Sequence, residues 1–197
     1  MIDLNRHFFL LLNASDNANP LVLGVANLIA VYGIAILPVK LVLDWLRGTS
    51  ADRQACLAVF GAVLFAIAIN QAIGTWIYIP RPAQAGIGHS YLDHAPDSSF
   101  PSDHATVLFA AALGYAFTGR LKSAILMMLI GLVVSWARIY LGVHFPMDIA
   151  GAALVGLVAA GVIHATMKVA GQHLTDRTEA LYRRLFSRLI ARGWAKP

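Results

Sequence analysis

Charge is scarce in this 197-residue chain: Asp, Glu, Lys and Arg make up 13% of it, about half of what a soluble domain carries. Hydrophobic residues make up 58% and mean hydropathy is +0.67, so the shortage points to a membrane protein. Cysteine is almost absent as well. Cys56, the only one, sits in an apolar run, which excludes an intramolecular disulfide, a CxxC redox pair and a cysteine-based zinc site. The apolar content excludes disorder, and the lack of glycine or heptad periodicity excludes a fibre. No repeat or low-complexity tract divides the chain, so residues 1–197 read as a single membrane-embedded domain. The first residues lack the basic start and small-residue cleavage site of a secretory signal.

What is present is a set of long apolar runs. A hydrocarbon core roughly 30 Å thick needs about 20 helical residues. Five runs qualify as spans: Leu21 to Leu46, Gln54 to Ile79, Ser102 to Phe117, Leu121 to Val143 and Met147 to Ala170. The expected fold class is therefore all-α, an integral membrane helical bundle of about five transmembrane helices. Two interfacial helices flank it: one within residues 1–20, and a basic amphipathic one over 171–197, where Leu181, Tyr182, Leu185, Phe186, Leu189 and Ile190 oppose Arg183, Arg184, Arg188 and Arg192. No groove-reading motif accompanies that charge, so nucleic acid is not an expected partner, whereas the phospholipid bilayer is.

Sorting the charges by side orients the chain, because Lys and Arg accumulate in short cytoplasmic loops. One side holds twelve bases and four acids; the other holds only Arg6, Arg81 and Arg138 beside six aspartates. The N-terminus then lies outside and the C-terminus inside. The longest polar connection, residues 80–101, falls on the outer side, where function is expected to sit.

Three outer clusters carry candidate chemistry. Pro80-Arg81-Pro82 closes the second span; alone it reads equally as a helix stop with a snorkelling arginine. Ser102-Asp103-His104 opens the third span. Its free N–H groups and positive dipole end can hold phosphate oxygens, with the Ser102 hydroxyl and the Asp103 amide nearby and His104 able to supply a proton; plain capping is the alternative. Arg138, His144 and Asp148 form the third. His144 and Asp148 are four apart, so a carboxylate can accept one ring N–H and leave the other nitrogen as nucleophile or base, unless the pair is merely structural. Together the clusters supply what phosphoryl transfer through a phosphohistidine needs.

Arg81-Pro82, Pro101-Ser102-Asp103-His104, and Arg138, His144 and Asp148 resemble, in order and spacing, the signature of the type-2 phosphatidic acid phosphatase superfamily of membrane lipid phosphatases. Within it, the run from His94 through Thr106 and the short length are most similar to undecaprenyl pyrophosphate phosphatases of the bacitracin-resistance type. The resemblance implies removal of the terminal phosphate from a polyprenyl pyrophosphate lipid, at the periplasmic or outer face of a bacterial inner membrane, with no cofactor and no metal. It implies His144 as nucleophile, Asp148 as its orienting partner and His104 as proton donor, with Arg81, Ser102 and Arg138 cradling the phosphate oxygens; Asp103 joins the expected phosphate-binding set through its amide at the helix start. The chain departs from the signature twice: Gly74 stands where its lysine falls, and Ala137 where a serine precedes the arginine. Two alternatives stay open: the same chemistry, or phosphate transfer, on phosphatidylglycerol phosphate, phosphatidic acid or lipid A, and transport of a lipid without chemistry.

Overall fold

The computed structural model describes residues 2–95 and 97–196. Met1, Pro96 and Pro197, which fall in the expected segments 1–20, 80–101 and 171–197, lie outside the described residues. Eight α-helices follow in order: α1 (Ile2–Leu12), α2 (Pro20–Tyr32), α3 (Ile36–Arg47), α4 (Ser50–Trp76), α5 (Asp103–Phe117), α6 (Leu121–Tyr140), α7 (Pro146–Leu185) and α8 (Ser187–Ala191). No strand occurs among the described residues.

Local chemistry sets the helix ends. Asn19 caps α2 by accepting from the Leu21 amide at 2.8 Å, and Pro20 takes the first helical position, where no donor is lost. Thr49 and Asp52 close a reciprocal capping box on α4, so that helix starts four residues before the expected Gln54. It also stops three residues short of Ile79. Ile77 is extended, and the Ile79 carbonyl accepts from the Ser99 amide at 2.8 Å, so pairing with the polar loop ends α4 before Pro80 is reached. The expected first span is two helices, α2 and α3, joined by a 3-10 turn over Gly33–Ala35. A Cβ at Gly33 would lie 2.5 Å from a Val134 methyl, so the glycine lets the turn rest directly on α6.

The largest difference is at the C-terminus. The expected break near Ala170 is absent: no proline interrupts the sequence there, and α7 runs 40 residues without interruption. Its late turns bury Thr175, Glu179 and Tyr182 beside the start of α4. There Glu179 pairs with Arg53 at 3.4 Å, and Arg53 stands over the Tyr182 ring. Leu181, Leu185 and Phe186 stay exposed. Within the expected 171–197 segment, the described residues continue α7 and then form the short α8, and one face is packed on the bundle.

α5 occupies the centre, buried along nearly its whole length and packed on α4, α6 and α7. Small residues bring the backbones close: a Cβ at Gly156 would lie 2.8 Å from the Ala110 nitrogen, and one at Gly131 would press on Phe109. The outer faces display Leu28, Phe60, Leu64, Leu129, Leu132 and Leu154 instead of polar side chains. Four segments, Pro20–Arg47, Ser50–Trp76, Leu121–Tyr140 and Pro146–Leu185, are long and apolar enough to cross a membrane. α5, at 15 residues, is about 22 Å long, and its neighbours shield it from lipid.

Candidate functional site

Every motif residue lies at one end of the bundle, where α5 and α7 begin and α6 ends. Pro146 starts α7, and the Asp148 carboxylate reaches back to the Phe145 amide at 2.8 Å. Gly142, at φ +79, turns the chain between α6 and α7. This short turn holds His144, which is 2% exposed.

The imidazole of His144 has a defined tautomer. Its Nδ1 lies 3.0 Å from the Ser99 carbonyl, which can only accept, so Nδ1 carries the proton. The Asp148 carboxylate is 3.4 Å from the same nitrogen and also accepts a hydrogen bond from the Ser99 hydroxyl. Orientation, expected from Asp148 alone, is therefore shared with a backbone oxygen. Nε2 keeps its lone pair and faces Arg138 Nη2 at 3.4 Å, while Arg81 Nη1 lies 3.4 Å from both ring nitrogens. Burial above all, then the charges of Arg138 and Arg81, hold His144 well below the ordinary imidazole value of 6.5. It is neutral in neutral solution.

The guanidinium groups are fixed by different means. Arg81 donates from Nε and Nη2 to one oxygen of Asp97, at 3.0 and 2.8 Å, and from Nη1 to the Val143 carbonyl at 3.2 Å. Burial would raise the Asp97 carboxyl, but the hydrogen bonds and charge of Arg81 outweigh it and hold the group ionised below its usual range. His94 lies 3.3 Å from the same carboxylate and 6.4 Å, ring to ring, from His144. Burial first, then Arg81, lowers its pKa. Arg138 donates to the Ala30 carbonyl of α2 at 3.4 Å, and its Nε is buried without a partner.

At the start of α5, Ser102 stands in the N-cap position but its side chain makes no capping bond. The hydroxyl is fully buried and unpartnered, although its amide donates to the Asp148 carbonyl at 3.3 Å. Asp103 is exposed, and its carboxylate accepts from Asn70 Nδ2 at 2.9 Å. The same Asn70 nitrogen lies 3.0 Å from the Thr106 hydroxyl, so Asn70 ties α4 to α5. His104 is half-buried and lies within electrostatic reach of Arg138, His94 and Arg81. Of the residues expected from sequence, Arg81, Arg138 and Asp148 each contact His144, Ser102 is tied to Asp148, and the Asp103 side chain is engaged elsewhere. Asn70 does what an amide inside a span is expected to do, bonding to a neighbouring helix, whereas Ser99 and Asp97 carry supporting roles that sequence reasoning missed; Ser99 touches residues 45 and 49 positions away, which no local pattern announces. Gly74 faces open space, with no atom within 4 Å of where its Cβ would be. No three His, Cys, Asp or Glu among the described residues are grouped to hold a metal ion.

Two buried donors without partners and a neutral imidazole between guanidinium groups thus sit at one end of a bundle of long apolar helices. Residues 55–171 match the model of the PAP2 superfamily, and the chain belongs to that superfamily. It is 34% identical over 194 residues, 98% of each chain, to an Escherichia coli K12 protein named "Putative undecaprenyl-diphosphatase YbjG". It is 28% identical over 155 residues, 79% of this chain and 80% of the other, to undecaprenyl-diphosphatase BcrC of Bacillus subtilis. Among solved structures, LpxE of Aquifex aeolicus superposes with TM-score 0.66 at 24% identity, covering 81% of this chain and 94% of that one. That likeness concerns the fold. The protein is a multi-pass membrane phosphatase with a lipid phosphatase fold.

Proposed function

We propose that the protein hydrolyses undecaprenyl pyrophosphate, or a closely related polyprenyl pyrophosphate, to the monophosphate and inorganic phosphate. The observation that carries this reading is the His144 arrangement: Nδ1 committed to the Ser99 carbonyl and Asp148, Nε2 open between Arg81 and Arg138. The names of the two curated relatives support the substrate. In the first step Nε2 attacks the terminal phosphorus, an N–P bond forms, and the bond to the bridging oxygen breaks. His104 gives a proton to the departing polyprenyl monophosphate. The positive charge left on the imidazole is balanced by Asp148. In the second step His104, now neutral, takes a proton from water as its oxygen attacks the phosphohistidine, which releases phosphate and restores Nε2. Arg81, Arg138, the Ser102 hydroxyl and the Asp103 amide cradle the phosphoryl oxygens, so the two unpartnered donors gain partners when substrate is bound.

The excess of Lys and Arg in the loops at the opposite end supports a site at the outer face of a bacterial inner membrane, with the prenyl chain in the bilayer, as expected for recycling a cell-wall carrier lipid and for bacitracin resistance. Three substrates tested in parallel on the purified protein, with and without chelator, check the reading: undecaprenyl pyrophosphate, phosphatidic acid and phosphatidylglycerol phosphate. The pyrophosphate is expected to be turned over fastest and the chelator to have no effect. If pyrophosphate is the poorest substrate, the assignment fails; if chelator stops turnover, the metal-free mechanism fails. His144→Ala is expected to abolish turnover, and retention of more than about one per cent of the rate, a smaller loss than the 10²–10⁴-fold worth of even a single acid–base group, would count against a histidine nucleophile.

A further inference from the structure

The site-bearing segments are held together by a residue outside all three motifs. Asn13, just past the end of α1, uses every hydrogen-bonding group of its side chain. Its Oδ1 accepts from the His89 amide at 2.7 Å, and its Nδ2 donates to the His89 carbonyl at 2.9 Å and to the Tyr140 carbonyl at 3.0 Å. Tyr140 ends α6, two residues after Arg138. His89 belongs to the loop that carries Arg81, Asp97 and Ser99. This amide therefore bridges the two arginine-bearing segments, beside the direct bond from the Tyr91 amide to the Leu141 carbonyl at 3.0 Å.

The surroundings are built for this contact. Gly88 has φ +66, and a Cβ there would lie 2.3 Å from Asn13 Oδ1 and 2.7 Å from Phe9, so only glycine lets the loop come this close. The next residue, Ala14, donates from its amide to the same Tyr140 carbonyl at 2.9 Å. The rest of α1 reaches the third segment: Phe9 is fully buried with its ring 5.1 Å from that of Phe145, and Asn5 accepts from the Met147 amide at 3.0 Å. Phe145 and Met147 lie between His144 and Asp148. The geometry points to Asn13 as a positioning residue of the phosphatase reaction, one that holds the Arg81 and Arg138 guanidinium groups at their distances from His144 while touching no substrate.

This inference rests on His144 being the reaction centre. The test compares full-length wild type, Asn13→Leu and Asn13→Asp in nanodiscs of phosphatidylethanolamine and phosphatidylglycerol, with undecaprenyl pyrophosphate as substrate and inorganic vanadate as a five-coordinate phosphoryl analogue. Asn13→Asp is isosteric and keeps the acceptor while losing both donors. Because small misplacements of catalytic groups cost up to about 100-fold, kcat is expected to fall roughly 10- to 100-fold in both variants. The vanadate inhibition constant is expected to weaken by the same factor, KM to move less than about threefold, and the thermal unfolding midpoint to stay near that of wild type. Three outcomes overturn the inference: kcat within twofold of wild type in a folded variant, loss of rate through KM alone, or failure of both variants to fold, which would make Asn13 a folding residue. The wild-type rate, read in the same experiment, reports on the functional proposal separately.

Discussion

Replacing Ser102 by alanine should change rate and stability in opposite directions. A capping serine normally accepts from the first turn of its helix, and its loss costs about 0.5–2 kcal/mol. Ser102 occupies the cap position of α5 without making that bond, and its hydroxyl is 0% exposed with no partner. Keeping such a group out of water costs the free protein about 1–3 kcal/mol. Ser102→Ala removes that cost. The thermal midpoint of purified protein should hold or rise, by roughly 2–4 °C for each 1 kcal/mol recovered in a chain of this size. During phosphoryl transfer the same hydroxyl donates to a phosphoryl oxygen, and a hydrogen bond to a charged group contributes about 1.5–3 kcal/mol. At 1.36 kcal/mol per decade that is a fall in kcat of roughly 10- to 150-fold. Differential scanning fluorimetry and initial-rate phosphate release on the same preparation read both quantities. A midpoint that falls by several degrees while kcat stays within twofold of wild type would refute the reasoning, because it would make Ser102 an ordinary cap.

Three further perturbations test neighbouring parts of the site. Asp148→Asn leaves the Phe145 amide and the Ser99 hydroxyl with a neutral partner and removes the charge that balances the imidazole; kcat should fall on the order of 10²–10³-fold in a rate assay, with acid-labile phosphoenzyme reduced in parallel. Because His144 is depressed below 6.5, the native state binds fewer protons there than the unfolded chain, so its contribution to stability is complete above about pH 6.5 and is lost as pH falls from there toward the lowered folded value. The thermal midpoint of wild type should accordingly drop faster than that of His144→Gln as pH is lowered below 6.5, and parallel curves would contradict this. Gly74→Lys places a side chain in open space in the last turns of α4 and removes a helical glycine, so stability should hold or rise by about 0.5–1 kcal/mol. The added cation should lower KM several-fold in an inhibition and rate series; an unchanged KM would mean that it pairs with Asp97 or Asp103 instead.

The helices and the site cluster were legible in sequence for one physical reason: lipid tolerates few charged groups, so the exceptions at span ends stand out. Arg81, His104, Arg138, His144 and Asp148 all fall within a few residues of a helix terminus. What could not be read depends on contacts between distant segments. Arg53 reads as an inner loop charge, yet it is 1% exposed and packed between Trp45 and Tyr182, since the capping box of Thr49 and Asp52 draws it into α4. The carbonyl of Ser99 fixes the tautomer of His144, and backbone oxygens leave no trace in a residue pattern. The length of α7 escaped because composition turns polar after Ala170, and a helix needs no change of structure to leave the bilayer.

That unbroken α7 also acts as a ruler. Thirty-one residues separate Asp148, beside His144, from Glu179, which is locked to Arg53 at the opposite end; at 1.5 Å per residue the two posts stand about 46 Å apart. A bilayer with its headgroups is roughly 40–45 Å thick. With one end held by the Ser99 hydroxyl donating to Asp148 and the other by the buried Glu179–Arg53 ion pair, the rod itself cannot shorten or lengthen to suit its surroundings. Tilt of the rod or local deformation of the bilayer takes up any mismatch, and lipid thickness becomes a mechanical load applied to the ends of the rod, one of which is the phosphatase site.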